Sequence, residues 1–291
     1  MSIILIGEFF NFKANPQSIV KVFNMKKIAF LTVLFCSQLI FAQANRFIYQ
    51  VTMKPDSTNR NEVKTETANL DINAEKSIFY GQKRLQRDSL FARMRQTGGE
   101  GFNMSKMENL RSNLDFIIEK DFKSGKKLYL ARILRDQYSY EEDRPMDWKI
   151  LPETAKIGDY KTQKAETTFA GRTWFAWFTM EIPFQDGPYK FSGLPGLIVK
   201  VEDSKGDYSL DLQEAKKIPE IASFDQRGST ISVKRGAFEK QQEQFRKDPS
   251  SALSSMGGQN RRMQSDPNQR KQMEDRLKDD IKKNNNAIEL K

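Results

Sequence analysis

Four carboxylates gather around an aromatic stretch of the sequence: Glu181, Asp186, Glu202 and Asp203. Two carboxyl groups that lie about 5 to 10 Å apart in a cleft can hydrolyse a glycosidic bond, and this chemistry needs neither histidine nor cysteine. Acidic residues are also common in turns and at strand ends, where the local pattern places all four. A carboxylate-based hydrolase is therefore a less favoured hypothesis, and we expect no catalytic residue.

Histidine is absent from the chain, and the single cysteine, Cys36, lies in a segment that we expect to be removed. Serine–histidine–aspartate and cysteine–histidine catalysis are therefore excluded. Zinc sites of the usual nitrogen and sulfur type are excluded as well, and so is haem ligation through histidine or cysteine. The sequence predicts neither a metal site nor a cofactor.

Methionine thioethers are the remaining soft ligands, and such groups can bind Cu(I). Met104 and Met107 are one helical turn apart, and Met94 precedes them. Because no dense Met-x-x-Met array appears, methionine as a filler of the core is the favoured interpretation, and a copper chaperone is the minor one.

Residues 25–44, "MKKIAFLTVLFCSQLIFAQA", have the order of a secretory signal peptide: two lysines, an apolar run, and small residues before a cut after Ala44. The apolar run is too short and too interrupted for a comfortable membrane span. Residues 1–24 precede a complete signal, so we expect Met25 to be the true start. The sequence predicts an exported protein that is periplasmic or associated with the outer membrane.

The charge of the chain is modest and mixed. The whole chain has a formal net charge of +10, and residues 45–291 keep 44 basic and 37 acidic side chains. A solvated surface is the favoured interpretation, and peripheral attraction to an anionic membrane is the alternative. Without a clustered basic stripe, nucleic-acid binding is not expected.

Residues 45–235 predict one β-rich domain. Segments such as "FIYQVTM" alternate, and hairpins are expected across 123–126, 171–172 and 204–206. About ten strands joined mostly by short turns, with no βαβ rhythm, favour a single curved antiparallel sheet or a half-open barrel.

Two polar segments differ from this pattern. Residues 84–113 predict a helical insertion at one end of the sheet or across its mouth. Residues 236–291 are rich in glutamine, asparagine, serine and lysine. They predict a flexible tail with short helices around 237–247 and 268–284.

The strand "TWFAWFTMEI" is apolar on both faces. Trp174 begins one apolar series of alternate residues, while Phe175 and Trp177 place large aromatic rings on the other face. A sheet with one solvated side needs a single apolar face. We therefore expect one face to pack on the core and the other to lie under a loop or line a cavity.

The segment that follows, residues 187–198, predicts a stiff crossing loop. Gly193 and Gly196 permit positive φ or close backbone approach, and Pro195 between them fixes φ and removes a donor. Three side chains are expected to fold back over the aromatic strand: Tyr189, Phe191 and Leu194.

These features define the candidate ligand-binding residues. They are Arg172, Trp174, Trp177, Tyr189, Phe191 and Leu194. Arg172 would be a polar or anion contact, and the aromatic residues would hold an apolar ligand. For each aromatic residue, core packing is the alternative interpretation.

The hexapeptide that ends the crossing loop, after "GRTWFAWFTMEIPFQDGPYKF", resembles the signature of the GLPGLI family of exported Bacteroidota proteins. Its residues are Gly193, Leu194, Pro195, Gly196, Leu197 and Ile198. The resemblance covers most of 45–218 and implies export and a shared fold. The family has no established biochemical activity, so no catalytic residue is carried over. Many relatives carry cysteine where Thr162 stands here, which puts any family role of that thiol in doubt for this chain.

The favoured function is that of a non-enzymatic binding protein that holds an apolar ligand or an envelope protein. The alternative is an envelope scaffold without a ligand. A pocket lined by Trp174 or Trp177 would favour the ligand carrier, and a filled interior would favour the scaffold.

Overall fold

The computed structural model describes residues 44–98, 109–134, 136–224, 229–251 and 267–290. The expected signal peptide lies outside the described residues except for Ala44. Parts of the expected insertion and of the expected tail also lie outside them.

Twelve strands of the described residues form one sheet. They are β1 (Ala44–Met53), β2 (Lys64–Ile72), β3 (Lys76–Gly81), β4 (Phe116–Asp121), β5 (Lys127–Ile133), β6 (Asp136–Glu141), β7 (Lys149–Ile157), β8 (Tyr160–Phe169), β9 (Arg172–Thr179), β10 (Leu197–Asp203), β11 (Tyr208–Ile218) and β12 (Thr230–Ser232). Their order in the sheet is β12-β6-β5-β4-β3-β2-β1-β11-β10-β9-β8-β7, with β12 and β7 at the open edges. The prediction of a mainly β fold built on a single sheet is confirmed.

The three expected hairpins are confirmed as β4–β5, β8–β9 and β10–β11. In the turn between β8 and β9, Ala170 and Gly171 both have positive φ, of 51° and 77°. Positive φ at both central residues is the requirement of a type I′ turn, whose twist matches the twist of the flanking strands.

Two edge strands were not anticipated, because neither has the alternating pattern of a half-buried strand. β7 contains Pro152 and is mostly exposed, and its pairing with β8 is irregular between Ile150 and Thr154. Proline is tolerated at a sheet edge, where one side of the strand needs no ladder bonds. β12 pairs with β6 in parallel, which makes the otherwise antiparallel sheet a mixed one.

The two faces of the sheet bury different amounts of apolar surface. The larger cluster, on what we call the main face, includes Tyr49, Phe79 and Ile118. A small cluster on the second face includes Ile78 and Tyr80, which alternate with Phe79 along β3. The core of the domain therefore lies on the main face.

The helices differ in how much they bury. α1 (Gln82–Gln96) contacts β2 and β3. α2 (Arg235–Lys247) packs the buried Phe238 against the stacked rings of Tyr129 and Tyr140 on the main face. α3 (Pro267–Lys283) is mostly exposed and carries ion pairs one turn apart. The helices expected around 237–247 and 268–284 are thus confirmed. No helix in the described ranges is both long and apolar enough to cross a membrane.

Candidate functional site

The aromatic strand, β9, presents its rings to two different environments. Trp174 is 1% exposed on the main face, and its indole N–H donates to the carbonyl of Phe169 at 3.2 Å. Phe175 and Trp177 lie half-buried on the other face, where the ammonium of Lys164 is 4.6 and 5.7 Å from their ring centres. A lysine side chain therefore covers the second aromatic face.

The crossing loop folds back over the main face of β9, as predicted. Tyr189, Phe191 and Leu194 are all buried, and the Phe191 ring meets the Trp174 ring edge-on at 4.9 Å. Tyr189 adopts a positive φ of 57°, an uncommon conformation for a bulky residue. Three candidate binding residues and Trp174 thus form core contacts with one another.

Gly196 explains where β9 ends. Its φ is +148°, and a Cβ atom placed on it would lie 2.0 Å from the carbonyl oxygen of Thr179. This close approach ends the strand at Thr179, whereas the apolar alternation predicted a strand as far as Ile182. Leu197 then begins β10 beside the end of β9.

A buried ion pair anchors the loop to β4. The ammonium of Lys120 donates to the Asp186 carboxylate, to the carbonyl of Gly187 at 2.7 Å and to the carbonyl of Phe191 at 3.1 Å. Burial lowers the pKa of Lys120, and Asp186 partly offsets this. Asp186 Oδ2 has no hydrogen-bond partner within the described part of the chain.

The four carboxylates of the sequence hypothesis each have a separate partner. Glu181 accepts from the backbone N–H of Lys161, and Glu202 pairs with Lys200 at 3.0 Å. Asp186 holds Lys120. Asp203 accepts from Arg172 and from two backbone N–H groups of the β10–β11 turn. No hydrogen bond between the described residues joins two of these four carboxylates.

Arg172, at the start of β9, is almost fully buried and uses two sides of its guanidinium group differently. Nη1 donates to Asp203 at 2.8 Å and to Asp207 at 3.1 Å. Nε and Nη2 donate to three oxygens of the chain's C-terminal segment, in Asn286, Ala287 and Ile288. A residue predicted as an anion contact therefore binds carboxylates on one side and a peptide segment on the other.

This segment, residues 284–290, is called the strap below. Asn286 is buried, and its backbone N–H and side-chain amide donate to the carbonyls of Pro55 and Lys54, both at 2.8 Å. The Tyr208 hydroxyl donates to the Asn286 carbonyl at 2.6 Å, and the Leu290 N–H donates to the Ala170 carbonyl at 2.8 Å. The side chains of Asn284 and Asn285 add hydrogen bonds to Asn113, Asp56 and Ser57, so the strap is held through main-chain and side-chain atoms together.

The one acidic side chain of the strap, Glu289, enters a cationic pocket. Its carboxylate accepts from the Lys190 ammonium, the Tyr189 hydroxyl and the Arg144 guanidinium, the last at 2.7 Å. Burial alone would raise the pKa of Glu289, but Lys190 and Arg144 outweigh it and hold that pKa below its ordinary value.

Lys190 and Arg144 share a second carboxylate, Glu142. Lys190 Nζ and Glu142 are 2.6 Å apart, and Arg144 donates to both oxygens of Glu142. Burial opposes ionisation of Glu142, yet the two cations lower its pKa to about 2. The Lys190 ammonium also lies 4.8, 5.1 and 5.5 Å from the ring centres of Tyr129, Tyr140 and Tyr189.

A cavity of about 190 Å³ lies between the main face, α2 and the strap. Four tyrosines contribute to its wall: Tyr129, Tyr140, Tyr189 and Tyr208. Of the candidate binding residues, Tyr189 lines this cavity, whereas neither Trp174 nor Trp177 does.

The residues that sequence reasoning missed are Arg144, Lys190, Asn286 and Glu289. Lys190 offered one local signal, because it stands between two aromatic residues of a segment that the pattern predicted to be buried. Asn286 and Glu289 offered none, because polar residues in a polar tail are expected to be solvated.

Comparison with known proteins gives a family match over a short stretch and several weak structural likenesses. Residues 166–200, which span the end of β8, all of β9 and the crossing loop, match a family described as a protein of unknown function, Porph_ging. Two structures of PNGF-II, in the P21 and C2 space groups, resemble the chain with TM-scores of 0.47 and 0.46 at 17% and 16% identity. The likeness covers 68% of this chain but only 33% and 32% of those chains. No curated protein matches the chain in sequence.

Proposed function

We propose that the chain is an exported, non-enzymatic binding protein of the GLPGLI family. In this proposal it acts in the periplasm or at the outer membrane and holds an extended segment of an envelope protein. The signal-like residues 25–44 and the hexapeptide at 193–198 support export and family.

One observation carries the binding proposal: the main face already holds an irregular polypeptide segment, the strap, through both its main-chain atoms and its side chains. We call the surface under it the strap site. Its residues are Lys54, Pro55, Arg144, Ala170, Arg172, Tyr189, Lys190 and Tyr208. In peptide recognition, hydrogen bonds to main-chain atoms give affinity, and pockets for side chains give specificity.

A second candidate, a carrier of a small apolar ligand, is favoured by the tyrosine-lined cavity. Ligand pockets usually measure about 300 to 1,000 Å³, and this cavity holds about 190 Å³. Native mass spectrometry of protein purified from the envelope tests this candidate. A co-purifying small molecule supports the carrier, and an empty protein removes it.

The binding proposal is tested by displaying random octapeptides against the full chain with Asn286→Ala and Glu289→Ala, two changes that weaken the strap. Enrichment of peptides on this variant, lost when Arg172→Lys is added, is expected. If the variant keeps its fold by circular dichroism and enriches no peptide, the proposal fails. N-terminal sequencing of the protein recovered from the envelope tests export, and we expect it to begin at Asn45.

A further inference from the structure

The strap differs from a core element in how it is held. Among its residues only Asn286 is buried, while Ala287, Ile288 and Leu290 are half-buried. The helix that precedes it, α3, is mostly exposed. The buried residues of the main-face core all lie outside the strap, and Ile288 packs only at the margin of that core. Lifting the strap would therefore break polar contacts and leave the core in place.

Without the strap, the strap site would present donors that have lost their acceptors in the chain. Arg172 would lose all three partners of its Nε and Nη2 groups, and the Tyr208 hydroxyl would lose the Asn286 carbonyl. A guanidinium group has donors only, so in the open site it would take its acceptors from water or from another segment. The site is thus suited to a segment that offers carbonyl oxygens to Arg172 and Tyr208.

The cationic pocket would also lack one carboxylate. Lys190 and Arg144 would still share Glu142, so two cations would face one anion, with the Tyr189 hydroxyl unpaired beside them. Arg235, 3.9 Å from Glu142, adds a third cation that is balanced by Asp143. Hydrogen bonds to an ionised group are about twice as strong as neutral ones, so the pocket discriminates for a carboxylate.

We propose that the strap site selects partner segments carrying an asparagine and, three residues later, an acidic side chain, and that the strap is the built-in competitor for them. This inference rests on the proposed function, and it names the chemistry of the partner. Arg172 and Tyr208 hold the backbone of the segment, and Lys190, Arg144 and Tyr189 hold its carboxylate. The partner is an acidic, irregular stretch of another protein.

The test uses a fluorescent peptide with the sequence of residues 284–291, NNNAIELK, added to the full-length Asn286→Ala, Glu289→Ala variant. Binding is measured by anisotropy. We expect the peptide to bind this variant at least about tenfold more tightly than it binds the wild-type chain, because a tethered strap competes at a high effective concentration.

Two further peptides isolate the carboxylate. A version with glutamine in place of glutamate should bind about tenfold more weakly or worse. A version with the first asparagine and the glutamate exchanged, ENNAINLK, keeps the same composition and charge and should be equally weak. On the protein side, Arg144→Gln should reduce the difference in affinity between the glutamate and glutamine peptides, because Arg144 is one of the two cations that bind the carboxylate.

The outcomes separate this inference from the function on which it rests. If the three peptides bind equally well, the carboxylate selection is wrong, while the binding of extended segments survives. If none binds to a folded variant, the strap chemistry is wrong. The selection of displayed octapeptides then tests the proposed function. Enriched peptides without an acidic preference would support peptide binding, and a selection that enriches no peptide would contradict it.

Discussion

The crossing loop and the strap cover the same face of the sheet, but they are held by opposite kinds of contact. The loop buries Tyr189, Phe191 and Leu194 in the core, with Phe191 against Trp174, and is anchored by the buried pair Lys120–Asp186. The strap buries one asparagine and is held by Arg172 and by the cationic pocket. The two segments therefore differ in kind. The crossing loop is part of the core, whereas we propose that the strap is the occupant of a binding site.

The largest expected effect tests the loop as a core element. Gly196→Ala places a Cβ 2.0 Å from the Thr179 carbonyl oxygen at a φ of +148°. We expect the free energy of unfolding to fall by about 4 kcal/mol or more, measured by urea denaturation. Gly193→Ala is the matched control, because its φ of +94° is strained but its Cβ meets no atom within 4 Å, and it should cost about 1 to 3 kcal/mol. Equal losses would mean that close packing does not fix the loop.

The next effect compares the two tryptophans of β9. Trp174→Ala removes a ring that is 1% exposed and packs on Phe191, so a loss of about 3 to 5 kcal/mol is expected in the same experiment. Trp177→Ala removes a half-buried ring under Lys164 and should cost less than half as much. A larger loss for Trp177 would show that the second face contributes more to stability than its burial indicates.

The sequence predicted the crossing loop but not the strap. Apolar alternation, glycine and proline are local signals, so the hairpins, the crossing loop and its three buried side chains could be read from short stretches. The strap depends on pairs far apart in the chain, such as Lys190 and Glu289, which are 99 residues apart. No local pattern marks a polar residue whose partner lies at that distance. The edge strand β7 was missed for another reason, because it is mostly exposed and lacks the alternation of a half-buried strand.

A smaller effect separates the strap from the core. Glu289→Gln removes the carboxylate from the cationic pocket, while Lys190 keeps Glu142 and the Tyr140 hydroxyl. We expect amide exchange at Asn286 and Leu290 to rise about 10- to 100-fold, since each charged hydrogen bond contributes about 1.5 to 3 kcal/mol, while amides of β9 and β10 stay unchanged. Hydrogen exchange measures both sets of amides. If the amides of the strap and those of β9 and β10 accelerate equally, the strap unfolds only together with the core.

The smallest effect is the dependence of the strap on pH. The folded-state pKa values of Glu289 and Glu142 lie below their ordinary values, and that of Glu142 is about 2. Groups of this kind contribute stability that is present above their unfolded pKa and is lost as the pH falls through the folded pKa. Between about pH 4.5 and pH 2, the strap amides should therefore lose protection from exchange before those of β10, because β10 packs in the apolar core of the main face. In the Glu289→Gln chain the strap amides should respond less to pH, because the strap itself then carries no carboxylate. If the strap and β10 lose protection at the same pH in the wild-type chain, the strap opens together with the core and the proposed distinction between them is wrong.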